Sequence, residues 1–463
     1  MKKLTLAGLA VSALALLYLL TQVYTYFGAT VTAGAAAGSI IVLGLIFLCV
    51  KKKPVIALIL ELLMILLLST TLFGVHEVNE VTEEISQTVE YETVQLVALK
   101  DSGITAEDDF SNYVAGYVNG DEHAFTCLSE IIKENNKKLS KSRPCKSTGA
   151  LYDRFKKEKL QLMILTNDIK TDLSVIDEDY EEKIIVLFEK KYPLSTATLK
   201  PVDIETEPFT LYICGADLSS GQTITSTGRG DVNILLTVNP NTKKVNLQVI
   251  PRDTFVYIPC RDGRSKLSYS GWWGGVQSSI QSIEDKFGID INYYAKLNFN
   301  GLTDLVDALG GVTVYSHYTY SSGGFSFVEG ENFVDGEKAL VFARARKMLP
   351  ENELSRGYHQ MELIKGIFRK FAEDPTYDKA MAILDGLSSN FVTNLPKKDF
   401  KKAFNLVVSL LPELQNMENH TIEGTYEWHY DEVRTEYYQY YYYPAEGEVE
   451  AVRERIEKVL AGE

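Results

Sequence analysis

Three mainly apolar runs, Leu4–Tyr24, Val31–Val50 and Val55–Phe73, open the chain. Each approaches the roughly 20 helical residues that a ~30 Å hydrocarbon core requires, so three membrane spans are predicted over residues 1–74. An acidic, polar stretch, Glu77–Glu90, reads as a stalk. Hydrophobic positions then recur on the short periods of an α/β protein. Val94–Leu99 and Leu160–Leu165 read as strands, and Ala124–Asn135 carries a helical stripe of Phe125, Leu128, Ile131 and Ile132. The pattern predicts a small α/β accessory domain over residues 75–205, closed by the acidic, proline-bounded linker Pro201–Pro208.

A second domain is predicted over residues 206–463. Phe209–Cys214, Asp231–Val238 and Lys244–Ile250 read as strands, the last two joined by the turn Asn239-Pro240-Asn241-Thr242. Helix Val276–Phe287, strand Asn292–Asn298, helix Gly301–Leu309 ended by Gly310-Gly311, and strand Val312–Tyr315 follow. The alternation predicts an α/β fold with a central sheet flanked by helices. Tyr437–Tyr443 is almost all tyrosine, suiting a strand whose two faces meet apolar or sugar-like surfaces, with core packing the plainer reading. From Glu448 onward an amphipathic helix closes the chain.

Charge refines this picture. With 47 Lys and Arg against 62 Asp and Glu, the net of −15 has the wrong sign for coating nucleic acid. Lys2 and Lys3 precede the first apolar run and Lys51–Lys53 separate the second from the third, which places everything beyond about Gly74 outside the cell membrane. Glu61 is the one intramembrane charge, read as structural. A cleaved signal peptide is the competing reading of the first run, and it still leaves two spans as a tether. Cys127 with Cys145 and Cys214 with Cys260 allow two disulfides in that compartment, or four reduced thiols. No Cys-x-x-Cys or His-Glu-x-x-His pattern points to zinc.

The candidate chemistry lies in five fragments: Gly228-Arg229-Gly230-Asp231, Pro251-Arg252-Asp253, Ser265-Lys266-Leu267, Arg344-Ala345-Arg346, and Arg356 with Gln360. Arginines gathered at strand ends suit a polyanion, because the guanidinium fork matches phosphate oxygens in pairs. Asp217 and Asp231, each at a strand end, are the carboxylates that a hard divalent cation would bridge to phosphate. The loop Gly215–Gly230 lacks the Gly-Lys-Ser/Thr ending of a nucleotide P-loop, which argues against ATP. Read as a strand, Val341–Arg346 would send Arg344 and Arg346 out of one face. Arg356 and Gln360, four apart at the start of a helix through Phe368, share a face. For each alone, a solvated edge or a helix cap competes.

From Ile213 to Phe368 the order Cys-Gly-Ala-Asp, Gly-Arg-Gly-Asp-Val-Asn, Ile-Pro-Arg-Asp-Thr, Ser-Lys-Leu-Ser, Leu-Val-Asp-Ala-Leu-Gly-Gly-Val, Ala-Arg-Ala-Arg and Arg-x-x-x-Gln resembles the LytR-CpsA-Psr family of cell-wall enzymes. Three spans, an accessory domain and then this domain are similar to its capsule-linked branch. The resemblance implies a three-layer α/β/α domain with a central mixed sheet. It implies a multi-pass cell-membrane protein whose accessory and catalytic domains are extracytoplasmic. Such a protein transfers a glycopolymer, whether capsule, teichoic acid or another wall glycan, from a polyprenyl-pyrophosphate carrier to the 6-hydroxyl of N-acetylmuramic acid in peptidoglycan. Asp217 and Asp231 would hold Mg2+ or Mn2+. Arg229, Arg252, Lys266, Arg344, Arg346, Arg356 and Gln360 would bind the pyrophosphate, Asp253 occupies a further motif position, and an apolar channel would enclose the polyprenyl tail. The catalytic set is then Asp217, Asp231, Arg252, Arg344 and Arg346. Tyr269 after Ser268 and the stretch Lys347–Leu354 depart from the family pattern, which bears on the acceptor contacts.

Two other functions stay open on the residues. Water as acceptor would make the protein a polyprenyl-pyrophosphate pyrophosphatase, and a non-catalytic surface sensor of lipid-linked polymer would need the arginines but not the paired carboxylates. The order of elements over Glu92–Pro208 is similar to one lobe of a solute-binding protein, with a spacer or partner-docking module as the plainer reading.

Overall fold

A five-stranded sheet within residues 91–193 and a six-stranded sheet within residues 209–420 organise the protein. The computed structural model describes residues 89–463 except 120, 178, 195–198, 219–221, 418 and 434–437, together with 16, 20 and 46. The three predicted spans over 1–74 and nearly all of the predicted stalk lie outside the described residues. Among the described residues no helix is long and apolar enough to cross a membrane.

The first sheet runs β3-β2-β4-β1-β5 from strands β1 (Tyr91–Leu99), β2 (Val114–Val118), β3 (Lys141–Cys145), β4 (Leu162–Leu165) and β5 (Ile184–Pro193). Its helices are α1 (Glu122–Glu134), α2 (Thr148–Lys156), α3 (Asn167–Ile176) and the single turn α4 (Tyr180–Lys183). All four residues of β4 are buried, as a central strand covered on both faces requires. Val94, Leu96 and Ala98 of β1 join α1 in one core, whereas Val97 packs with α2 and α3 in the other. Cys127 belongs to the first core and Cys145 to the second, so the sheet itself keeps them from bridging. Cys214 and Cys260 are likewise free thiols, the latter 3.3 Å from Ser278 Oγ.

The second sheet is mixed, with order β16-β11-β6-β7-β8-β17. It comprises β6 (Phe209–Asp217), β7 (Arg229–Asn239), β8 (Lys244–Val249), β11 (Tyr293–Asn298), β16 (Phe391–Thr393) and β17 (Asn419–His420). The hairpin β9 (Phe255–Ile258) and β10 (Gly263–Lys266) leads into α5 (Leu267–Phe287). One face is covered by α5 and the terminal helix α11 (Glu448–Ala461), through Ile280, Ile283, Phe287, Val452 and Ile456. The other carries α8 (Glu353–Ala372) and α10 (Phe400–Asn416), through Met361, Leu410 and Leu414. This is a three-layer arrangement of helices, mixed sheet and helices. A satellite core gathers α6 (Phe299–Ala308), α7 (Gly336–Arg344), α9 (Tyr377–Leu387) and the paired strands β12 (Val312–Ser316) and β15 (Gly330–Val334), with β13 (Tyr320–Ser322) and β14 (Phe325–Phe327) beside them. Strand β12 thus joins a two-stranded ribbon and not the central sheet.

Two expectations change. Val341–Arg346 is not a strand: Asp335 accepts from Lys338 N, and Ala339, Phe342 and Ala343 bury one face, so α7 runs through Arg344 and Arg346 lies two residues past its end. The helix expected from Val276 is only the second half of α5, which breaks at Gly274 and Gly275. Gly275 has φ +68°, and the buried carboxylate of Glu90 fills the space beside it, accepting from Val276 N at 2.5 Å and from Lys296 Nζ at 2.5 Å. Lys296 also donates to Ser226 O at 2.7 Å. A backbone bond from Tyr91 N to Thr225 O and the Arg261–Asp168 ion pair at 3.1 Å add to the seam between the two sheets and their helices.

Candidate active site

Strands β6 and β7 place the first carboxylates. Asp217 ends β6 directly opposite Arg229, which begins β7, and their side chains pair at 2.5 Å. The register shifts between Gly215 and Ala216, leaving Asp231 without a partner across the ladder. Asp231 is therefore the extra residue of a bulge, a device that re-aims a side chain at a strand end. Its Oδ2 meets Arg252 at 2.5 Å, whereas among the described residues Oδ1 is buried without a hydrogen-bond partner.

Arg252 and Asp253 follow β8 and start a chain of alternating charges. Asp253 is 3.1 Å from Lys266 Nζ and 3.5 Å from Arg346, and Arg346 reaches Glu353 at 3.6 Å. Glu353 accepts a hydrogen bond from Arg356, whose guanidinium also donates to Asp231 O at 3.4 Å. Burial would pull the Arg252 pKa down, but Asp231, Asp253 and Glu353 hold it raised. Burial would likewise raise that of Asp253, yet Lys266, Arg252 and Arg346 keep it below the ordinary carboxylate value. Glu353 shows the opposite balance: its burial outweighs Arg356 and pushes its carboxyl up.

Arg344 is exposed and lies over the Phe299 ring at 4.3 Å, and among the described residues no carboxylate pairs with it. Gln360 Nε2 donates to Ala343 O at 3.4 Å and so ties α8 to the end of α7. Six cations, Arg229, Arg252, Lys266, Arg344, Arg346 and Arg356, meet four carboxylates, Asp217, Asp231, Asp253 and Glu353, an excess of two positive charges.

Part of this set, Asp231, Arg252, Arg344, Arg346 and Arg356, lines the wall of a cavity of about 880 Å³ together with Gln360. The remainder is mostly apolar, with Ile213, Leu236, Ile364 and Phe368. A second cavity of about 400 Å³ shares Leu211, Leu236 and Phe368 and extends the apolar space. Asp217, Arg229, Asp253 and Lys266 are not on the cavity wall; Asp253 and Lys266 join it through ion pairs to Arg252 and Arg346. Sequence reasoning missed Glu353, the anion between Arg346 and Arg356, although its spacing three residues before Arg356 was a signal.

Among the described residues no group of three or more His, Cys, Asp or Glu is gathered for a metal. The donor set still suits a hard cation of the magnesium type, which needs only one or two protein carboxylates beside phosphate and water. The unpartnered Oδ1 of Asp231 is such a donor, and Asp217 stands on the neighbouring strand.

The LytR_cpsA_psr family profile matches residues 180–458, or 279 of the 463 residues. A DNA polymerase processivity factor profile matches residues 51–165, about a quarter of the chain, which shows no family. The polyisoprenyl-teichoic acid–peptidoglycan teichoic acid transferase TagU of Halalkalibacterium halodurans is 36% identical over 190 residues, covering 41% of this chain and 62% of the relative. Its namesake in Enterococcus faecalis is 34% identical over 196 residues, covering 42% and 64%. The chain therefore spans less than two thirds of the length of these relatives. The crystal structure of B. subtilis TagU is 27% identical and covers 55% of this chain and 97% of that one, with a TM-score of 0.43.

Proposed function

This chain belongs to the LytR-CpsA-Psr family, and on that premise we propose that it is a membrane-tethered phosphotransferase that moves a glycopolymer from a polyprenyl-pyrophosphate carrier onto peptidoglycan. The observation that carries the reading is the single cavity that sets Arg252, Arg344, Arg346 and Arg356 against a long apolar wall. Such a cavity suits an amphiphile with a dianionic head and a hydrocarbon tail, and its volume falls within the roughly 300–1,000 Å³ of ligand clefts. The apolar runs over 1–74 would hold the protein at the membrane where the carrier resides. The names of its relatives, teichoic acid transferases acting on peptidoglycan, support the donor and acceptor classes.

In the reaction, the acceptor hydroxyl oxygen bonds to the sugar-side phosphorus, the bond from that phosphorus to the bridging oxygen breaks, and polyprenyl monophosphate leaves. Phosphoryl transfer of this kind needs positioning and neutralisation of charge more than a covalent nucleophile. Arg344, which among the described residues pairs with no carboxylate and lies over the Phe299 ring, is a cation free to follow the departing phosphate. Arg346 and Arg356, spaced by Glu353, hold the remaining oxygens, and Asp231, oriented by its 2.5 Å ion pair with Arg252, receives the hydroxyl proton. A magnesium or manganese ion held by Asp217 and Asp231 would supply Lewis-acid neutralisation of the diphosphate.

The test supplies the purified full chain in detergent with a polyprenyl-pyrophosphate-linked saccharide and peptidoglycan. Wall-linked saccharide is expected, and Arg344→Ala or Asp231→Ala lowers its yield by more than about tenfold. Undiminished attachment in either variant rejects the assignment, and release of free saccharide alone identifies a hydrolase.

A further inference from the structure

The tyrosine-rich segment forms one side of an antiparallel hairpin, β18 (Gly424–Tyr430) and β19 (Tyr438–Pro444), and its two faces meet different surroundings. On one face Phe255 packs against His429, Tyr441 and Tyr443, which fixes the hairpin to β9. The other face holds Tyr426, Trp428 and Tyr430 from β18 opposite Tyr442, Tyr440 and Tyr438 from β19.

Their rings form a continuous series. Tyr426 stacks on Tyr440 at 4.8 Å and 8°, Tyr440 meets Trp428 at 5.2 Å, Trp428 stacks on Tyr438 at 5.6 Å, and Tyr438 meets Tyr430 at 4.8 Å. The outer four are open to solvent: Trp428 by 59%, Tyr430 by 61%, Tyr438 by 54% and Tyr440 by 43%. That is a large exposure for aromatic rings on a hairpin whose second face packs on Phe255.

The inner end of the series is joined to the candidate active site. Tyr442 N donates to Asp253 O at 2.8 Å, the Tyr442 ring meets Tyr426 at 5.1 Å, and among the described residues the buried Tyr426 hydroxyl has no hydrogen-bond partner. Asp253 and Lys266 are members of the charge cluster bordering the cavity. The rings therefore lead from the phosphate-binding cluster outward to solvent.

Flat aromatic faces with polar rims suit pyranose rings, which present apolar C–H faces and hydroxyl edges. Charge selects among the glycans. The described residues of 423–448 contain six Asp and Glu and no Lys or Arg, so a polyanionic polymer would be repelled there. We propose that the exposed face of the β18–β19 hairpin is a saccharide-binding ladder that seats the glycan strand of the peptidoglycan acceptor, a β-(1→4)-linked run of N-acetylated amino sugars, and presents its hydroxyl to the diphosphate site. The assignment of an acceptor rests on the transferase reading; the binding site itself does not.

Trp272 and Trp273 are buried at 4% and 7% exposure, so Trp428 is the tryptophan whose fluorescence reports on this face. Chitohexaose, an uncharged β-(1→4)-linked stand-in, is titrated into the full chain in detergent, with a poly(glycerol phosphate) oligomer as the anionic comparison. Chitohexaose is expected to quench Trp428, and calorimetry should show about tenfold weaker binding for Tyr438→Ala and for Trp428→Ala. Tyr430→Ala, at the outer end, gives a second reading should either variant fold poorly. Arg344→Ala should keep its saccharide affinity, separating the ladder from the diphosphate cluster. Equal chitohexaose affinity in the wild type and all three ladder variants overturns the proposal. So does tighter binding of the anionic oligomer at the same rings, or no binding of chitohexaose at millimolar concentration. Because the readout is binding, a protein with no transferase activity is still judged by it.

Discussion

Removing Lys296 should unseat the join between the five-stranded and the six-stranded sheet. Glu90 and Lys296 form an ion pair at 2.5 Å with side chains only 5% and 3% exposed. Their gross attraction at an effective dielectric constant of 20 is about 7 kcal/mol, from Coulomb's law at that separation. Desolvation of both groups offsets much of it, so the intact pair adds little to net stability. Breaking it is another matter: among the described residues Lys296→Met leaves the buried Glu90 carboxylate with only Val276 N as donor, and leaves Ser226 O without its 2.7 Å donor. The expected cost is about 3–5 kcal/mol. In Glu90→Gln/Lys296→Met the buried charge is gone while an amide acceptor for Val276 N is retained, so at least about half of that loss should return. Guanidinium unfolding of the full chain in detergent gives both values from the midpoint and slope. A loss below about 1 kcal/mol in Lys296→Met, or a double variant no more stable than the single one, would refute the reasoning, since either result means that the carboxylate is not confined as the geometry requires.

Further outcomes follow from the same geometry. Gly275→Ala places a Cβ 2.0 Å from Glu90 Oε2 at a φ of +68°, and a loss of about 3 kcal/mol is expected in the same unfolding assay. Burial pushes the pKa of His359 down to about 4. The unfolded chain therefore binds a proton that the native one refuses, and stability should fall by roughly 3 kcal/mol as pH drops from about 6.5 towards 4. In His359→Leu that part of the pH profile should flatten. Cys127, Cys145, Cys214 and Cys260 are thiols, so a reducing agent should leave the melting temperature unchanged, and all four should react with a thiol reagent after unfolding.

Much of this protein is written locally. Periodicity places β1, α1, β4 and the hairpin β7–β8 within a few residues of their observed limits, because these segments bury faces at the spacings their own backbones impose. The motif order alone carries the family. Local reading failed at Val341–Arg346, where alternating residues resembled a strand but the Asp335 cap and the buried face of Ala339, Phe342 and Ala343 set a helix. Even so, Arg344 and Arg346 reach the cavity, since their position at the end of α7 matters more than the element that carries them.

The chain by itself determined which residue types were available: arginines and carboxylates at element ends, apolar runs long enough to span a bilayer, and a strand of tyrosines. Only the tertiary structure decided which of them share a site. Asp231 meets Arg252 and Arg356 across separations of 21 and 125 residues, Glu353 supplies the anion between two arginines, and Glu90 pairs with Lys296 across 206 residues. It also decided that one face of the tyrosine strand is packed and the other open. The physical reason is that charge and aromatic contacts act over a few ångströms of space, and the packing of helices on a mixed sheet sets those distances between residues far apart in the chain.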